Sequence, residues 1–135
     1  MVVSALDPAD RRSIEVEVAG APALFVAKGH KLHDRVASKR ADRLDDKDAA
    51  DVVRLMQTTS AAEVGATFVT LCADPIAGTP SADALTYLDE LFGRRGRPGI
   101  DMASRALRIG MPEERIEALC IAYTGRLLEA ARERS

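Results

Sequence analysis

Three cations, Lys28, Lys31 and Arg35, stand at i, i+3 and i+7 in the stretch KGHKLHDR. On a helix that spacing gathers their heads on one face. A little further on, in DDKDAAD, Lys47 is followed by Asp48 and Asp51 at i and i+3. Ammonium and guanidinium groups presented together bind phosphate oxygens, and carboxylates beside them can orient those cations or help to hold Mg²⁺. The same residue types also describe two oppositely charged helix faces that pair with each other or face water, with no ligand involved. His30 and His33, again i and i+3, offer imidazoles, but a zinc site needs more ligands than a histidine pair and the sequence provides no further one nearby. Solvated or capping roles fit them better. No Ser or Cys has the local setting of a nucleophile.

The elements that must position these groups follow from periodicity. Pro22 suits the first turn of a helix, and a helix over about 22–40 carries Phe25, Gly29, Leu32 and Val36 on one stripe beside the basic one. The stretch ADRLD reads as a connection. A second helix over about 46–58 buries Val52, Leu55 and Met56. The short connection favours an antiparallel pair, which sets the cations opposite Asp48 and Asp51. Ser60 with Glu63 forms a capping-box signature that opens a third helix, and Asp74-Pro75 closes it. PIAGTP reads as a loop, Ser81 as the cap of a fourth helix, and Gly93 as its stop. GRRGRPG is a basic connector. A short helix over about 101–109 and a last one opened by Pro112, Glu113 and Glu114 complete the chain.

The first twenty residues follow a different period. MVVSAL is short and apolar, DPADRR carries turn chemistry, and SIEVEVAG alternates, with Ile14, Val16 and Val18 opposite Glu15 and Glu17. The expectation is a mainly α protein: one domain over 1–135, with a β-hairpin over 1–20, a charged helix pair over 22–58 and C-terminal helices over 60–135. In all, about five or six helices form a compact bundle. A lone hairpin is marginal in water, so its edge is a candidate for pairing with a partner or a second copy.

Composition narrows the function classes. Apolar residues make up 47% and charged residues 30%, with a net charge of −2, so the chain reads as a globular domain without the basic excess of a nucleic-acid binder. Cys72 and Cys120 lack partners at ligand spacing and read as free thiols of a reducing compartment. With no apolar run long enough to span a bilayer and no signal-peptide order at the start, a cytoplasmic protein without membrane contact is expected.

PALFVAKGHKLHDR followed by DDKDAADVVRLM resembles the helical part of the AbiEii-like nucleotidyltransferases, the family that includes toxins of abortive-infection toxin–antitoxin systems. The resembling positions are Lys28, His30 and Arg35, then Lys47, Asp48 and Asp51, over about 22–56. The resemblance implies the helical remnant of a polymerase-β-like nucleotidyltransferase. Lys28 would reach a nucleoside triphosphate, Arg35 and Lys31 would support its phosphates, and His30, Lys47, Asp48 and Asp51 would form the polar network around them, with Mg²⁺ as the metal. The strand SIEVEVAG would take the place of the family's last sheet strand, making Glu15 and Glu17 candidates for a metal carboxylate. The family's Gly-Ser turn and strand-borne Asp-x-Asp are missing here; Asp46-Lys47-Asp48 has the letters but sits at a helix start. Without them no two-metal site assembles, so no transferase activity is expected from this chain alone. The expected partners are a nucleotide and either a protein (a missing catalytic half, a toxin or an antitoxin) or a second copy. The reading from a different class is a protein-interaction module working through the hairpin edge.

Overall fold

The structure, a computed structural model, describes the backbone of residues 8–39 and 43–132 and the side chains of residues 20–39 and 45–132. Helical spacing of apolar residues, broken by Gly, Pro and Asp, produces six helices among the described residues: α1 Pro8–Ala37, α2 Arg43–Thr58, α3 Ala61–Ala73, α4 Gly78–Phe92, α5 Pro98–Leu107 and α6 Glu113–Arg132. Each of the first three packs most extensively on the helix three places later: α1 on α4, α2 on α5 and α3 on α6. Phe25, Phe68, Phe92, Leu88, Ile116 and Leu127 meet in the middle with no exposed surface. Gly65 lets α3 close on α6, because a Cβ there would stand 2.5 Å from Ala130 Cβ and 2.8 Å from the Leu127 carbonyl.

The helical bundle expected from the sequence is present, but the N-terminal β-hairpin is not. SIEVEVAG belongs to α1, and no strand occurs among the described residues; MVVSAL lies outside them. The alternation of Ile14, Val16 and Val18 is a weak signal against a continuing helix. β-Branched residues cost only about 0.7 kcal/mol each in a helix, and Glu and Ala between them are good helix formers. The described chain also offers no sheet to receive a strand. Pro22 therefore stands inside α1 rather than at its start, leaving the Val18 carbonyl without its usual donor four residues on.

Other boundaries moved by about a turn. Ser60 caps α3 as expected, accepting from the Glu63 backbone N–H at 3.3 Å. Ser81, expected as a cap, is buried within α4, which starts at Gly78. Asp74 organises that entry instead: its Oδ1 accepts from the N–H groups of Ile76 and Ala77 at 2.8 and 2.9 Å, an Asx turn. These donors hold its carboxyl below the ordinary carboxylate range.

Candidate functional site

The connection between α1 and α2 is short, so the two helices run antiparallel, and the basic stripe of one meets the acidic stripe of the other. Lys28 Nζ donates to Asp48 Oδ1 at 2.8 Å and stands 3.2 Å from Asp51 Oδ2. Lys31 Nζ lies 2.6 Å from the second oxygen of Asp48. Arg35, in the last turn of α1, places its Nε 3.8 Å from Asp45 Oδ1. The result is a ladder with Asp51, Asp48 and Asp45 on one rail and Lys28, Lys31 and Arg35 on the other.

Burial sorts the ladder into layers. The side chains of Asp45 and Asp48 keep 3% and 12% of their surface exposed, whereas Lys31 and Arg35 keep 48% and 42%. Lys28 is intermediate at 21%. Negative charge thus lies inside and positive charge outside, except at Asp51, which is 43% exposed and also held by Arg54 at 3.0 Å. Burial by itself would raise the Asp48 carboxyl, but the ammonium groups of Lys28 and Lys31 outweigh it and hold the acid low. Burial likewise works against the Lys28 ammonium, and Asp48 and Asp51 together more than offset it, so its pKa rises. Each ion is stabilised by the other.

Of the residues singled out in the sequence, Lys28, Lys31, Asp48 and Asp51 come together. Arg35 joins the same ladder one rung away, on Asp45. His30 does not: it faces α4, where its Nε2 donates to the Pro80 carbonyl at 2.8 Å. That bond fixes the tautomer, since a carbonyl can only accept. His33 stacks on Tyr87 with ring centres 3.7 Å apart, and His30 meets the same ring edge-on at 5.1 Å. Lys47 is exposed and lines a groove of about 440 Å³ with Asp46, Arg105, Ala106 and Arg108. There Arg105 of α5 grips Asp46 with two hydrogen bonds of 2.9 and 3.1 Å.

Glu15 and Glu17 lose the argument that paired them. They lie on α1, not on a strand, and two steps along a helix turn through about 200°. Among the residues with described side chains no cluster of three or more His, Cys, Asp or Glu could hold a metal ion. Asp45 is the residue the sequence reading missed, having been placed in the connection ADRLD. Its signal was present: Asp45, Asp48 and Asp51 repeat every third residue, matching the cations on α1 rung for rung.

Compared with models of known protein families, with curated proteins and with solved structures, the chain gives no significant match. No described helix is long and apolar enough to cross a membrane.

Proposed function

We propose that this chain is a nucleotidyltransferase-like helical domain whose α1–α2 ladder faces a polyphosphate or nucleotide, and that it does not catalyse transfer by itself. The observation that supports the reading is the layering of the ladder: buried carboxylates hold cations whose heads are partly exposed. Cations held in place lose less freedom on meeting an anion than free surface lysines do. The chain's lack of a Gly-Ser turn and of a strand-borne Asp-x-Asp supports the non-catalytic part.

The test is calorimetric titration of the full chain with ATP and CTP in the presence of Mg²⁺, against a variant with Lys28, Lys31 and Arg35 all changed to Gln. Saturable binding by the wild type that the triple variant lacks is the expected result. Absence of binding to the wild type removes the nucleotide reading.

A second reading, self-association, is favoured by one feature. Pro22, Ala23, Val26, Ala27, Leu71 and Ala77 line an apolar groove of about 310 Å³ between α1, α3 and α4. The exposed Leu24 and Ile76 neighbour its lining residues in sequence. No charged residue lines the groove, so two copies of this surface can meet without repulsion in an isologous contact. The hairpin edge plays no part, because residues 13–20 are helical. Light scattering distinguishes the outcomes: a dimer that Ala27→Glu converts to monomer supports this reading, and a monomeric wild type at all concentrations removes it.

A further inference from the structure

We infer that the polyphosphate-facing contacts belong to Lys31 and Arg35, that Lys28 is an internal strut which does not touch the ligand, and that Asp45 and Asp48 are positioning residues for the two outer cations. This rests on the proposed polyphosphate reading and divides its site differently from what the resemblance implies, where Lys28 reaches the phosphates.

Burial and contacts lead to this division. Lys28 donates to Asp48 Oδ1 at 2.8 Å, has Asp51 Oδ2 3.2 Å away as a second charge contact, and keeps only 21% of its side-chain surface exposed. Among the described residues Lys31 has one carboxylate contact, at 2.6 Å, and half its side chain is open to solvent. Its ammonium carries three donors, so it can meet an incoming oxygen while keeping Asp48. Arg35 sits 3.8 Å from Asp45 through Nε, and the two terminal nitrogens of a guanidinium fork suit bidentate contact with a phosphate. Lys31 and Arg35 are i and i+4, so their stems stand about 6 Å apart, close enough for both heads to reach one phosphate chain.

The position of negative charge supplies direction. Asp51 is exposed at the Lys28 end and carries Arg54 beside it, so an anion approaching there meets an outward carboxylate. At the Lys31–Arg35 end the partner carboxylates are inside. Asp34, next to Arg35 in sequence, is also exposed; at i+3 and i+4 from Lys31, Asp34 and Arg35 fall on opposite flanks of it. Asp45 and Asp48 are already turned inward to cations, so the ligand this division assigns is a phosphate chain met by the two outer cations rather than a metal held by these carboxylates.

Binding of inorganic tripolyphosphate without divalent metal, measured by calorimetry on the full chain, tests the division. Lys31→Gln and Arg35→Gln should each weaken binding roughly tenfold, about 1.4 kcal/mol, while Lys28→Met changes it by less than about threefold. Asp45→Asn should weaken binding and Asp45→Glu restore most of it, a rescue that loss of packing alone does not produce. A measurement on the unmodified protein covers the case in which Lys28→Met unfolds. Tripolyphosphate should protect Lys31 from amine acylation, read by mass spectrometry, and leave the rate at Lys28 unchanged. Protection of Lys28 with Lys31 unaffected overturns the division while leaving the polyphosphate reading intact. No tripolyphosphate binding, together with no ATP or CTP binding, overturns both.

Discussion

Helix α1 meets its two principal neighbours by different means. Toward α2 it presents Lys28, Lys31 and Arg35 to three aspartates; toward α4 it presents His30 and His33 to Tyr87 and Pro80. The α4 side has its polar capacity largely absorbed: the His30 imidazole is committed to a backbone carbonyl, and His33 stacks on Tyr87 with its Nδ1 3.7 Å from Glu90. The α2 side remains half satisfied, with carboxylates inside and spare donors outside. Contacts that close on themselves hold helices together. Contacts that leave aligned donors toward water do that and keep something for a ligand.

This contrast can be broken at several depths. Leu32 is fully buried between the two sides, so Leu32→Ala should loosen both, costing about 2–5 kcal/mol in chemical denaturation. A loss below about 1 kcal/mol would mean the two interfaces do not share a core. Asp48→Ala removes the carboxylate on which two ammonium groups converge, and the expected cost is about 1–3 kcal/mol, below that of a fully buried pair because water reaches the lysines. Tyr87→Leu takes away the ring between the histidines for about 1 kcal/mol, with no effect on tripolyphosphate affinity. Arg54→Ala, at an exposed pair one turn apart on α2, should change stability by less than about 0.5 kcal/mol.

Titration sharpens the same contrast. Asp48 has a depressed carboxyl pKa in the folded protein, so its contribution is present above about pH 4, where the unfolded group is ionised, and is lost as pH falls through the folded value. Lys28 has a raised pKa, so its contribution is present below about pH 10 and disappears as pH climbs through the raised value. Denaturation across pH should show a plateau between those limits, and Asp48→Asn should flatten the acidic fall. An acidic fall identical in that variant would assign acid sensitivity to other carboxylates.

How much of this was legible depends on where each residue's partner lies in the chain. The charged faces of α1 and α2 are joined by a short connection, so spacing alone brought Lys28, Lys31, Asp48 and Asp51 together. Pro80, the partner of His30, is 50 residues away, and no local pattern announces it. Asp45 was misplaced because helix starts are set by capping and packing more than by periodicity, and α2 begins before its apolar stripe does. The N-terminal strand failed for a related reason. Alternation over eight residues suits a half-buried strand, but a strand needs a sheet, whereas α1 could simply continue from a stretch already packed on α2 and α4.

The most direct test follows the cations themselves. In a protein labelled with ¹⁵N at lysine and arginine, tripolyphosphate is titrated while the side-chain Nζ and Nε resonances are recorded. Saturable shifts at Lys31 Nζ and Arg35 Nε, with Lys28 Nζ moving little, are the predicted result. If Lys31 and Arg35 stay still throughout the titration, the ladder is a packing device and its outer layer recognises no phosphate.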